Sequence, residues 1–365
     1  CGEPHSPPPA HMVAAGAAAL NAGRTRYAPP AGIPALREAI AAAMCHRGLD
    51  ATADDVVVTP GAKPILLYAA LTLFATGDEV LVPSPHFPIF DSVARFAGGR
   101  PVYYRVDPSR PSGIDLDEIA AKIGPRTRVL MLNTPHNPTG TVLGADALAG
   151  LAELVLRHGL TVISDEIYSQ HQYDEPHRTI AALPGMAERT VVVDGFSKTF
   201  AMTGWRLGYG VMPAPIAERV TRLVINSCSC TATFVQDAGL AALTGPMEPV
   251  LAMRRALRER RDVLVRGLNA IPGIRCAMPR GAFFAYPNVA ELLAHSSIAA
   301  RDLAGQLLAR HGLACLPGTA FGAGGEGHLR LSYAAPVEQL TTALDRLAAC
   351  ARALGAGQGG TKPLP

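Results

Sequence analysis

The chain has 365 residues, more than one hydrophobic core usually supports, so two domains are expected. Hydrophobic residues at 48% and charged residues at 17% exclude a disordered or fibrous chain and fit a well-buried globular enzyme. The net charge of +3, with no basic run and no aromatic residues interleaved with Arg, argues against nucleic-acid binding.

In chain order, Ser6-Pro7-Pro8-Pro9 reads as an extended arm. Val56-Val57-Val58-Thr59 reads as a buried strand, followed by helical spacing from Gly61 through Phe74. The strand signal returns at Glu79–Val82, Pro101–Val106, Arg128–Leu132, Thr161–Ser164 and Thr190–Val193, with helix-length segments such as Ala145–His158 between several of them. Such alternation predicts a mostly parallel sheet covered on both faces, with ligand sites at the carboxyl ends of its strands. From Phe234 to Leu268 the pattern becomes long, Arg-rich helix, and a mixed α+β segment follows Ile274, which predicts a boundary near residue 255. No apolar run reaches the roughly 18 residues that span a bilayer, and no basic-then-apolar leader is visible, so no membrane association is expected. The seven cysteines (1, 45, 228, 230, 276, 315 and 350) include no C-x-x-C pair. Neither a disulfide scaffold nor a metal site is expected, and a reducing, cytoplasmic setting is.

Only four lysines occur: Lys63, Lys122, Lys198 and Lys362. Lys198 sits in Asp194-Gly195-Phe196-Ser197-Lys198-Thr199, directly after the strand Val191-Val192-Val193, and Arg206 follows eight residues on. A primary amine there can form a Schiff base with a carbonyl cofactor, and the Arg fork suits a phosphate. Taken alone, the segment reads equally as a solvated loop Lys beside a surface Arg. Asp165 and Tyr168, in Ser164-Asp165-Glu166-Ile167-Tyr168, place an acid at a strand end and a phenol three residues later. A carboxylate keeps a pyridine nitrogen protonated, and a phenol can bond a ring oxygen; a helix cap is the plainer reading of Asp165. Asn133-Thr134-Pro135-His136-Asn137-Pro138 is by composition a turn, whose Asn137 amide can also reach that oxygen. Gly61-Ala62-Lys63, between strand and helix, offers free backbone N–H groups to a phosphate, although Gly-containing turns of this kind are common.

Together, these ordered motifs make the chain resemble the class I/II aminotransferases of pyridoxal-phosphate (PLP) fold type I, especially bacterial and archaeal aspartate aminotransferase-like members. The early segment Tyr27-Ala28-Pro29-Pro30-Ala31-Gly32-Ile33-Pro34-Ala35-Leu36-Arg37 is similar to theirs. The resemblance runs from Gly2-Glu3-Pro4 to Arg330-Leu331-Ser332-Tyr333. It implies an α/β fold with a mostly parallel seven-stranded sheet between helices. It also implies a large domain over 26–255, a smaller α+β domain from 1–25 and 256–352, and a flexible tail at 353–365. By the resemblance, Lys198 carries PLP and later shuttles the substrate Cα proton. Asp165 pairs with the pyridine nitrogen, and Asn137 and Tyr168 hold the phenolic oxygen. Gly61, Ala62, Lys63, Ser197 and Arg206 surround the phosphate, which Tyr27 reaches from a neighbouring subunit, so a homodimer with shared sites is implied. Phe87 stacks on the ring. Arg330, with the Gly2 backbone and Asn137, grips the substrate α-carboxylate, and Lys63 in some acidic-substrate members meets a distal carboxylate.

Two departures stand out. Gly195 occupies a position where many members bind phosphate with Ser or Thr, and His86-Phe87-Pro88 replaces the Tyr-Trp pair of the aspartate enzymes. The expected reaction moves the amine of an L-amino acid to a 2-oxo acid such as 2-oxoglutarate by a ping-pong cycle. Elimination, replacement or cyclisation on the same fold is the alternative reading, with a PLP-binding transcription regulator as a remote one.

Overall fold

The computed structural model describes residues 2–294 and 298–356. Seven strands form the larger sheet: β1 (Val56–Thr59), β2 (Glu79–Ser84), β3 (Arg100–Arg105), β4 (Thr127–Asn133), β5 (Thr161–Asp165), β6 (Thr190–Gly195) and β7 (Gly208–Val211). Their order is β1-β7-β6-β5-β4-β2-β3. Only β7 runs antiparallel to its neighbours; the remaining pairings are parallel. A second, three-stranded antiparallel sheet joins β8 (Phe284–Ala285), β9 (Leu316–Pro317) and β10 (Leu329–Ser332) in the order β8-β10-β9.

The helices in chain order are α1 (Ala10–Asn21), α2 (Pro34–Cys45), α3 (Lys63–Leu73), α4 (Ile89–Phe96), α5 (Leu116–Ala121), α6 (Ala145–His158) and α7 (Phe196–Thr199). They continue with α8 (Ala214–Ser227), α9 (Thr233–Thr244), α10 (Glu248–Asn269), α11 (Ala290–Leu293), α12 (Ala300–His311) and α13 (Val337–Ala356). Alternate residues of the buried strands feed opposite layers, as a two-residue side-chain period requires. Val57, Val80, Val82, Val129, Met131 and Ile163 pack with residues of α3, α4 and α8. Leu81, Leu130, Leu132 and Val162 pack with α5 and α6, and Val56, Val58 and Val192 with α1, α2 and α9. The near-continuous apolar runs read in the sequence are therefore strands covered on both faces.

Several expectations meet a different arrangement. The predicted Arg-rich helix is two helices, α9 and α10, parted at Gly245-Pro246, where Pro cannot continue the hydrogen-bond ladder. Residue 255 falls inside α10, so the expected boundary crosses an unbroken helix. Residues 1–25 do not all lie with the smaller part, because α1 packs on α9 and Met12 is buried in the core layer under β1 and β6. Residues 353–356 continue α13, and the rest of the expected tail lies outside the described residues. We propose a division into a larger part built on the seven-stranded sheet and a smaller part around the second sheet with α12 and α13, joined by α10.

The strand of the larger sheet missed by pattern, β7, is Gly-Tyr-Gly-Val. Its glycines answer to close contacts: a Cβ at Gly208 would lie 2.3 Å from the Ala62 nitrogen and 2.4 Å from the Gly61 carbonyl carbon. The turn from β1 into α3 can thus settle directly against β7. Gly208→Ala is expected to displace that turn and to destabilise the protein by about 1–3 kcal/mol, the usual penalty of overpacking, measured by chemical denaturation.

Candidate active site

The carboxyl ends of β1, β4, β5 and β6 converge on a cavity of about 390 Å³. It is lined by Gly2, Ala62, Lys63, Phe87, Asn137, Asp165, Tyr168, Ser197, Lys198, Arg206 and Arg330, all singled out from the sequence, and also by Leu66, Asn133, Ile167 and Phe284. Larger, more open clefts lie along β3 and beneath the N-terminal segment; the buried acid and amine meet only in the smaller one. Gly61 stands just behind it with φ +86°, and Tyr27 is 88% exposed, away from this copy's cavity.

Asp165, the last residue of β5, is buried, and its Oδ1 accepts the Ile167 N–H at 3.2 Å. Burial pushes its carboxyl up to about 7, helped by the charges of Asp194 and Glu166 and opposed by that N–H and by Lys198. Lys198 lies in the short helix α7, and its Nζ donates to the Gly2 carbonyl. Burial, with Arg206 and Lys63 nearby, brings its amine down to about 8 against the pull of Glu3. The site thus holds a carboxyl and an amine that both titrate near neutrality, a frequent mark of reactive groups.

Asn133, at the end of β4, donates through its side chain to the Asp165 carbonyl at 3.0 Å and accepts the Asn137 N–H at 2.7 Å. This fixes the turn that presents Asn137, whose Oδ1 accepts from Arg330 Nη1 at 3.1 Å. The Arg330 guanidinium lies over the rings of Phe284 and Phe321, 4.3 and 4.7 Å from their centroids, and its buried Nε has no partner among the described residues. A planar fork held against two aromatic rings, with donors to spare, suits a carboxylate. The Tyr168 ring meets Phe283 and Phe284 edge-on at 5.4 and 5.8 Å. Burial pushes its phenol up, while a hydrogen bond from Asn137 opposes this, so it stays a donor at neutral pH.

At the start of α3 the leading N–H groups have no intrahelical acceptor, as at any helix start, and they border the cavity. A Cβ at Gly61 would lie 2.1 Å from Arg206 Nη2, so only glycine lets this guanidinium settle against the turn. Arg206 itself has φ +54° and donates from Nη1 to the Thr203 carbonyl at 2.8 Å. Lys63 Nζ lies 5.3 Å over the Phe87 ring. Asn133, Phe284 and Phe321 escaped the sequence reading; Asn133 carried a signal in its strand-end position, whereas the two aromatics reach Arg330 only through folding. Among the described residues, no helix is long and apolar enough to cross a membrane, no His, Cys, Asp and Glu group is placed to hold a metal, and the cysteines are free.

A carboxyl raised from its ordinary 3.8 to about 7 binds more protons folded than unfolded between those pH values, so the contribution of Asp165 to stability falls as pH rises through that window. In cofactor-free protein the buried His86, His136 and His171, held neutral by burial, act in the opposite direction. The test is therefore a comparison: between about pH 4 and 7 the melting temperature of Asp165→Asn is expected to rise more, or fall less, than that of wild type.

The family described as aminotransferase class I and II matches residues 1–347. The chain is 39% identical over 350 residues to an aspartate aminotransferase of Musicola paradisiaca, covering 95% of this chain and 87% of that protein. It is 38% identical to an arginine–pyruvate transaminase of Pseudomonas aeruginosa, covering 97% and 89%. Among solved structures, the aromatic aminotransferase of Pyrococcus horikoshii superposes with a TM-score of 0.92 at 36% identity, covering 98% and 95% of the two chains. The aspartate aminotransferase of Thermus thermophilus with maleate gives 0.91 at 37% identity, covering 96% and 90%. The seven-stranded sheet, the cavity at its strand ends and these likenesses agree: the chain belongs to the class I and II aminotransferases, PLP-dependent enzymes of fold type I.

Proposed function

We propose that this aminotransferase takes its amine from an acidic L-amino acid and passes it to a 2-oxo acid such as 2-oxoglutarate. The observation that carries the reading is a single cavity holding the Lys198 amine, the Asp165 carboxyl, the Arg330 fork and the Lys63 ammonium. The donor set fits PLP. Asp165 is a buried acid with no side-chain cation hydrogen-bonded to it among the described residues, as a protonated ring nitrogen demands. Arg206 and the start of α3 form a cradle for a phosphate, closed behind by Gly61.

In this reading Lys198 Nζ would hold the cofactor covalently, and the same nitrogen would take up the proton that leaves the substrate Cα. When bound, PLP supplies a conjugated ring that accepts electron density from that carbon. Asp165 holds the ring nitrogen in its protonated form. Tyr168 and Asn137 would donate to the phenolic oxygen, Phe87 would pack on the ring, and Ser197, Arg206 and the backbone of Ala62 and Lys63 would hold the phosphate. Arg330, aided by Asn137 and the Gly2 backbone, would hold the substrate α-carboxylate and so place the substrate in the same cavity as Lys198. Lys63, reaching over Phe87, meets the distal carboxylate of an acidic donor. The 88% exposure of Tyr27 supports a homodimer in which this phenol completes the partner's phosphate site. Free cysteines support a cytoplasmic setting.

The test is a spectrum of the PLP-loaded protein titrated with single amino acids in the absence of an acceptor. Conversion to the pyridoxamine form with L-aspartate or L-glutamate supports the reading, and conversion only with neutral amino acids removes the acidic preference. Lys198→Ala is expected to lose the visible absorbance of lysine-bound PLP and to slow amine transfer about a thousandfold or more. Lys63→Met is expected to lower kcat/KM about 10- to 100-fold for L-aspartate, with L-alanine little changed, as loss of one charge-assisted hydrogen bond dictates.

A further inference from the structure

A buried cluster of charged side chains stands next to Asp165 without lining the cavity. Glu166, fully buried, accepts from Ser164 Oγ at 3.0 Å, Thr179 Oγ1 at 2.7 Å and His177 Nε2 at 2.8 Å, and from Arg47. Asp194, on β6, accepts from Ser169 Oγ at 3.1 Å, from the Gly195 N–H at 2.7 Å and from Arg47 Nη1 at 2.9 Å. Arg47 is thus the cation shared by both carboxylates. It arrives on the turn after α2, where Gly48 at φ +86° reverses the chain.

We infer that Arg47 is a positioning residue: by neutralising Glu166 and Asp194 it sets the field in which Asp165 ionises, and hence how firmly Asp165 holds the cofactor's ring nitrogen. The second half rests on the role proposed above for Asp165. The groups that face Asp165 are Glu166 beside it in the chain, Asp194 from β6, Tyr168 from the following loop and Lys198 from α7. Tyr209 from β7 also feels the charges of Arg47, Glu166 and Asp194. Glu166 follows Asp165 in the chain and Asp194 follows Val193, the β6 partner of Asp165, so two carboxylates beside it discourage a third negative charge, and one guanidinium offsets part of that effect. Burial alone would push the Glu166 carboxyl up, but His177 and Arg47 hold it below its ordinary value, so it stands as a fixed negative charge. A cluster with this composition biases Asp165 toward its protonated form until a cation, such as a protonated ring nitrogen, comes to face it.

A purely structural cluster would weaken the fold whichever member is removed and would have no preferred sign at Asp165. The field reading has one. In cofactor-free protein carrying ¹³C-labelled aspartate carboxyls, with the Asp165 signal assigned through Asp165→Asn, the titration midpoint is followed by NMR. Arg47→Met is expected to raise the midpoint and Glu166→Gln to lower it, each by about one pH unit, a tenfold change in proton affinity. Arg47→Lys, which keeps the charge on a gentler substitution, is expected to stay close to wild type. Midpoints that move in the same direction, or do not move, overturn the proposal. The role of Asp165 is checked separately by the PLP affinity of Asp165→Asn, read from fluorescence quenching. An unchanged affinity removes the hold on the ring nitrogen, whereas unmoved midpoints remove Arg47's influence on Asp165.

Discussion

Keeping a carboxyl buried without a side-chain cation bonded to it is the constraint around which this site is arranged. Asp165 ends β5 in the middle of the larger sheet, where both faces are covered and solvent cannot stabilise its charge. The fold tolerates it because the neighbouring strand ends deliver complementary groups to the same place. β4 brings Asn133 and the turn that carries Asn137, β6 leads into Lys198, and β1 leads into the open start of α3. A parallel sheet sends all these loops out at one end, which is why residues far apart in the chain share a cavity of small volume.

Much of this was legible from residue order. Strands covered on both faces must be apolar throughout, so Val56–Thr59, Arg128–Leu132 and Thr190–Val193 announce themselves, and the helix Ala145–His158 was read with its observed limits. The residues that follow strand ends, Asn137, Asp165 and Lys198, were legible for the same reason, since the loop after a parallel strand is where chemistry gathers. β7 was not legible, because its glycines are dictated by the turn packed on them and leave no β-branched run. Phe284, Phe321 and Arg47 carry no local signal at all: an aromatic or an Arg acquires meaning only from the partner that folding brings to it.

The break between α9 and α10 and the burial of Met12 show a second way in which pattern reading falls short. Periodicity identifies a helix, but not the layer that receives it. α1 precedes the whole sheet in the chain and still finds its place on α9, where Gly16 leaves room for Trp205; a Cβ there would lie 2.7 Å from that indole. The segment carrying Lys198 and Arg206 thus rests, through Trp205, on the first helix of the chain.

The seat of Arg330 against Phe284 and Phe321 has a bearing on the varied names of the relatives. Arg330 is rooted in the second sheet, on β10, whereas Lys63 and Phe87 belong to the strand–helix turns of the first. On the proposed roles, what every α-amino acid shares is read by one half of the molecule, and what distinguishes one amino acid from another is read by the other. The two requirements are written on separate scaffolds, so the turns can be revised while the common grip is kept. Aspartate, aromatic and arginine–pyruvate enzymes within one family are what such a division of labour permits.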